Sequence, residues 1–162
     1  MEDTQELIVP HKNASSYVVS RSGQKSVNGY RDQIDHILRS NPHVVLSGEV
    51  SIANSFPIFR LLNIGLKGFI TTIHADTPLD ALKNSFPQNI QLAELNIKNP
   101  LSFLKSKIDL VIQLSKIGSD DRGIVEAYYP KQEKHLYFEN GIIGYEVIGD
   151  FKQTREEFKR AC

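Results

Sequence analysis

The stretch Asn41-Pro42-His43-Val44-Val45-Leu46-Ser47-Gly48-Glu49-Val50 decides how the rest of the chain is read. Asn-Pro stops whatever helix precedes it, because the residue before a proline is pushed out of the helical region. Val44-Val45-Leu46 is too short for a helix. It suits a strand buried on both faces, which delivers the carboxylate of Glu49 to the strand's C-terminal edge. Upstream, Tyr30, Ile34, Ile37 and Leu38 recur at helical spacing, predicting an amphipathic helix from Ser26 to Leu38. Downstream, a second helix is expected from Ser55 to Asn63. Pro57 is tolerable there because it falls in the first turn, and Gly65 ends the helix. Gly68-Phe69-Ile70-Thr71-Thr72-Ile73 then has the character of a second buried strand and hands over to His74. Thr77-Pro78-Leu79-Asp80 reads as a cap, a first-turn proline and a capping-box acid, so His74 falls where a strand gives way to a helix.

The later part is richer in strands. Asn99-Pro100 opens a helix through Leu101, Leu104 and Ile108, and Ile108 to Leu114 returns to strand character. Gly123 to Tyr129 and His135 to Glu139 read as strands. Asn140-Gly141 is a type I′ turn into a further strand, Ile142 to Ile148. Thr154 to Ala161 reads as a closing helix or a tail. Strand, helix, strand, helix followed by a meander indicates an α/β layer with an antiparallel extension, expected as a single domain over 1–162.

Composition narrows the function classes. Lys plus Arg number 19 and Asp plus Glu number 19, so no net field draws the chain to phosphate backbones or anionic lipid, and direct nucleic-acid binding is not expected. The single cysteine, Cys162, allows no internal disulfide, and a reducing cytoplasm suits it. No apolar run approaches the ~20 residues of a membrane span, so any membrane contact is expected to be peripheral. His11, His36, His43 and His135 lack metal-ligand spacing and read as surface or structural residues. Tyr128, Tyr129, Tyr137 and Phe138 read as sheet packing, and no G-x-S-x-G elbow offers a nucleophilic serine.

Three segments place polar groups at expected strand ends: Glu2-Asp3, Gly48-Glu49 and Thr71-Thr72-Ile73-His74. In open α/β sheets the carboxyl ends of strands line the ligand crevice, so these groups are candidates for one site. A carboxylate there can hold Mg²⁺ through water or orient an attacking water. An imidazole can hydrogen-bond a phosphate oxygen.

These residues also carry a resemblance. EDTQELIVPHKN resembles the Asp box of the traffic ATPases of bacterial type IV secretion and conjugation, RSNPHVVLSGEV their Walker B segment, and GLKGFITTIHADTPLDAL their His box, in the same order and spacing. The likeness is strong from Glu2 to about Leu82 and general thereafter. It implies part of a RecA-like P-loop NTPase core, a parallel sheet with flanking helices, with the C-terminal antiparallel β extension added. It further implies a VirB-type hexameric motor on the cytoplasmic face of the inner membrane. Such a motor binds ATP with Mg²⁺ between subunits and works with channel components of the secretion or conjugation machinery. Carried over by position, Glu2 polarises the attacking water, Glu49 supports Mg²⁺ and His74 senses the γ-phosphate. Asp3, Arg39 and Thr72 fall at matching positions and are expected on the nucleotide side.

The departures shape the expectation too. No G-x-x-x-x-G-K-[ST] occurs in the chain, and that loop is what grips phosphates and metal in such motors. The resemblance therefore implies that the Walker A half of the core and an N-terminal domain are absent, and that the isolated chain is inactive as an ATPase. Ser51 stands where the family has arginine, and Asp35, His43 and Leu66 stand where arginine, aspartate and histidine are expected. The alternative is a non-hydrolysing regulatory or interaction paralogue that binds secretion components.

Overall fold

A computed structural model describes residues 1–19, 24–93, 97–119, 121–139 and 142–148. In chain order its elements are α1 (Gln24–Ser40), β1 (Val44–Glu49), α2 (Ser55–Asn63), β2 (Gly68–Thr72), α3 (Pro78–Asp80), a π-helical turn (Ala81–Ser85) and α4 (Phe86–Leu92). There follow α5 (Pro100–Lys107), β3 (Val111–Lys116), β4 (Arg122–Tyr129), β5 (Lys134–Glu139) and β6 (Ile142–Ile148). The chain divides into two compact units: Met1–His74 with Ser85–Lys98, and Ala75–Asn84 with Asn99–Cys162.

In the first unit β1 and β2 pair in parallel, Val44 opposite Gly68 and Glu49 opposite Thr72, with an irregularity between Leu46 and Glu49. Two glycines allow close approach here. A Cβ on Gly68 would lie 2.8 Å from Val44 Cγ2, and one on Gly48 would lie 3.3 Å from Glu2 Cβ. Glu2 is that near because the chain start runs along β1. The Met1 nitrogen donates to the Leu46 carbonyl and Gly48 N–H to the Met1 carbonyl, straddling Ser47 as parallel strands do. On its other side Glu2 bridges Val18 in parallel.

α1 ends where Asn41 takes a left-handed φ of 49°, and α2 ends before Gly65 at φ 81°, conformations that Asn and Gly tolerate best. The helical spacing read from the sequence is the buried stripe of α1. Tyr30, Ile34 and Ile37 pack in one cluster with Met1, Val19, Val45 and Leu61. Burying side chains of this size contributes about 1.5–3 kcal/mol each. The strands are less enclosed than their apolar runs predicted. Val45 is 6% exposed, but Val44 on β1 and Ile70 on β2 are 55% and 63% exposed, so one face of this pair lies open.

The second unit is built on an antiparallel sheet in the order β3-β4-β5-β6. Glu139 of β5 stands opposite Ile142 of β6, in keeping with a hairpin, although Asn140-Gly141 themselves lie outside the described residues. The expected closing segment, Thr154 to Ala161, also lies outside them. Asn99 caps α5, accepting from Ser102 N–H at 3.1 Å, and Thr77 Oγ1 accepts from Asp80 N–H at 3.0 Å. β3 begins at Val111, not at Ile108, because Ile108 N–H still donates to the Leu104 carbonyl that ends α5. The molecule is thus mixed α/β, a parallel pair and an antiparallel sheet. Among the described residues no helix is long and apolar enough to cross a membrane.

Candidate functional site

β1 and β2 run in the same direction, so their C-terminal ends emerge on one edge and bring Glu49 and the residues after Thr72 together. There Glu49 Oε2 lies 3.6 Å from His74 Nε2. That is longer than a hydrogen bond but well within Coulombic reach. The His74 side chain is 98% exposed and that of Glu49 38%, so both can meet a ligand arriving from solvent. An open cleft of roughly 370 Å³ lies beside the pair, within the first unit. Its wall includes Ser51, Ile73 and, from the start of α4 onward, Ser85, Gln88 and Asn89.

The backbone beneath the pair is held by hydrogen bonds that few sequence patterns would announce. Thr72 Oγ1 donates to the Gly48 carbonyl at 2.7 Å, and Val50 N–H donates to the Thr72 carbonyl at 2.8 Å. Asn54 Nδ2 donates to the Glu49 carbonyl at 2.7 Å, while its Oδ1 accepts from Ser51 N–H at 2.8 Å. The buried Ser55 hydroxyl lies 3.0 Å from the Ile52 carbonyl and 3.2 Å from that of Asn89, linking the start of α2 to α4. Thr72 was singled out in the sequence. Asn54 was not, because an asparagine before a helix reads as an ordinary cap.

The other singled-out residues fall elsewhere. Glu2 is buried, its carboxylate accepting from Glu6 and Leu7 N–H at 2.9–3.3 Å, and it is not part of the cleft wall. Asp3 adjoins it at intermediate exposure, and Arg39 is exposed on the last turn of α1. Asp35, which departs from the family pattern, forms an ion pair with Arg60 of α2 at 2.8 Å.

The second unit holds a glutamate and a histidine of another kind. His135 Nδ1 lies 3.1 Å from Glu126 Oε1 with both side chains buried, and the imidazole stacks on Tyr128 with ring centres 4.3 Å apart. Nearby, Lys105 bonds Glu133. That contact raises the Lys105 pKa and holds the Glu133 carboxyl below its ordinary value. Burial pushes the Tyr128 phenol up, against the opposing pull of Lys105. Among the described residues no group of three His, Cys, Asp or Glu gathers as a metal cage.

The molecule is thus an α/β protein with an acid and an imidazole at the ends of adjacent parallel strands, the edge at which open α/β sheets take their ligands. Sequence comparison names the relatives. No protein-family model matches the chain. It is 30% identical over 142 residues to the type IV secretion system protein VirB11 of Bartonella henselae, a match covering 85% of this chain and 40% of that protein. VirB11 of Bartonella quintana is 29% identical with the same coverage. Protein VirB11 of Agrobacterium tumefaciens is 28% identical over 116 residues, covering 69% of this chain and 34% of that protein. Over 85% of its length the chain is VirB11-like, and it spans about 40% of the length of the first two relatives.

Proposed function

We propose that this chain contributes part of the ATP site of a type IV secretion motor, with Glu49 and His74 facing the phosphates. The observation that carries the reading is the approach of Glu49 and His74, 3.6 Å apart beside the cleft. A glutamate at the end of a strand and an exposed imidazole are the groups that Mg-nucleotide chemistry uses at such an edge.

The donor set fits Mg²⁺. This ion keeps several waters and takes one or two carboxylates plus substrate phosphates, so a lone Glu49 carboxylate suffices where a closed cage would not be built. Bound there, Mg²⁺ would supply neutralisation of phosphate charge. The exposed His74 imidazole would donate to a phosphate oxygen, with the Glu49 carboxylate beside it. Thr72 ties the two strand ends together through Gly48. The resemblance implies a water-polarising role for Glu2, but its buried carboxylate accepts from the Glu6 and Leu7 N–H groups and is not part of the cleft wall, so the cleft chemistry is assigned to Glu49 and His74. Asp3 and Arg39 are assigned to the nucleotide side on the same resemblance. The reading extends to a RecA-like core in a hexamer at the cytoplasmic face of the inner membrane, partnered by channel components, with phosphate-gripping residues supplied from outside these 162 residues.

Calorimetric titration of the chain with Mg-ATP tests this. Weak, saturable binding is expected, reduced roughly tenfold by Glu49→Gln or His74→Ala, the loss of about one charged contact. A folded protein that does not bind, or one whose binding ignores both substitutions, overturns the nucleotide reading.

Ser51 favours a second reading. It lines the cleft at the position where the resemblance has arginine, and a hydroxyl cannot replace a guanidinium fork on phosphate. In this reading the chain is a non-hydrolysing partner of the motor. It then binds the complete motor with an affinity that Glu49→Gln leaves unchanged, and a large loss in that variant counts against it.

A further inference from the structure

We propose that Asn54 is the residue that positions Glu49, by closing the turn between β1 and α2 with both ends of one side-chain amide; its relevance to catalysis rests on the nucleotide reading above. Past Glu49 the sheet stops. Val50 N–H bonds the Thr72 carbonyl just past the end of β1, and on either side of Val50 stand the Glu49 carbonyl and the Ser51 N–H. Asn54 satisfies both. Its Nδ2 faces a carbonyl and its Oδ1 faces an N–H, an arrangement that fixes which way the amide points.

The residue is anchored from the other side as well. Its own carbonyl accepts from Ile58 N–H at 2.9 Å, and α2 is pinned by Ile58 and Leu61, both 0% exposed. Asn54 occupies the N-cap position of α2, yet its side chain makes no capping bond to that helix. It turns back to the strand end instead. At 2% exposure it is out of reach of solvent that could substitute for lost bonds. The chain direction at Glu49, and with it the placing of the carboxylate beside His74, is thus referred to the helix core through one amide.

This makes a chemical demand that size alone does not. Aspartate keeps the acceptor for Ser51 N–H but loses the donor, and brings a carboxylate oxygen against the Glu49 carbonyl. Alanine loses both bonds.

The test reads placement directly. In NMR spectra of the full chain a nuclear Overhauser contact between the Glu49 γ-protons and the His74 ring is expected. It should be lost in Asn54→Asp and Asn54→Ala, while contacts around Ile58 and Leu61 persist; a merely structural role would disturb those core contacts first. If Asn54→Ala does not fold, the isosteric Asn54→Asp decides. Retention of the Glu49–His74 contact in the folded variants, or its absence from the wild type, overturns the proposal. Mg-ATP titration of the same samples should give roughly tenfold weaker binding in either variant. Unchanged affinity in the variants removes the catalytic relevance. A wild type that binds no Mg-ATP sinks the nucleotide reading alone, since the Overhauser contact still decides whether Asn54 positions Glu49.

Discussion

Glu49–His74 and Glu126–His135 pair the same two residue types in opposite surroundings. The first pair sits past the ends of parallel strands, 3.6 Å apart, with the imidazole almost wholly in solvent. The second sits within antiparallel strands, 3.1 Å apart, with side chains 1% and 6% exposed. Glu126 opposes Tyr137 and His135 opposes Tyr128, so the buried pair is a diagonal contact on one face of the sheet. The tyrosines flank it, Tyr128 and Tyr137 both stacking on the imidazole. A parallel sheet therefore releases its polar groups at an edge where a ligand can use them. An antiparallel sheet can enclose the same groups, where they must satisfy one another.

The largest expected effect is on the buried pair. Glu126→Ala removes the carboxylate that faces the imidazole and should cost about 1–3 kcal/mol in urea unfolding, the penalty of a buried polar group that loses a partner. A loss below about 1 kcal/mol would mean that the two pairs are energetically alike, and the comparison would break. At the exposed pair, Glu49→Gln and His74→Ala should each move stability by no more than about 0.5 kcal/mol, since solvent screens such contacts. A larger drop would make that pair structural and weaken its claim to a ligand.

The smallest effect belongs to Lys105 and Glu133, which touch at the surface of the second unit. Contact with Lys105 lowers the Glu133 pKa, so its stabilising contribution is complete above the ordinary value of 4.5 and is lost as pH falls through the depressed folded value. Lys105 is raised, so its contribution is complete below 10.5 and is lost as pH rises through the folded value. The Tm difference between wild type and Lys105→Met should therefore be present near neutrality and vanish in strong acid. A difference that persists in acid would assign the effect to packing of the lysine stem.

Local signals carried much of this architecture. Tyr30, Ile34 and Ile37 disclosed the buried face of α1 by period alone, and Thr77-Pro78 and Asn99-Pro100 marked caps whose bonds are made. Glu49 and His74 could be paired in advance because two apolar runs on either side of a helix imply parallel strands, and parallel strands end on one edge. What depends on register stayed hidden. Glu126 and His135 meet because of how β4 and β5 align, and no spacing along the chain encodes that diagonal. The extent of the helical path through the π-turn and α4 was not read either, with Pro87 lying where a helix would be thought to stop. Nor was Asn54. Its position announces a cap, and only three-dimensional proximity to Glu49 gives its amide a different pair of partners. The openness of Val44 and Ile70 escaped for a related reason, since an apolar run states what could be buried and not what covers it.

The division of the chain has a consequence for how the protein is made and cut. The polypeptide passes between units after His74, after Asn84 and after Lys98, so neither body is one uninterrupted length of gene. On the ribosome the first unit stays unfinished until α4 has emerged, by which time Ala75–Asn84, a piece of the second, has already been synthesised. A protease nick after Asn84 divides both bodies, whereas one after His74 or after Lys98 leaves every residue of one body on a single fragment. Truncation at Lys98 or at Ala75 would likewise keep one unit whole and carry a stretch of the other, whereas circular permutation could be used to ask which crossing the fold can do without.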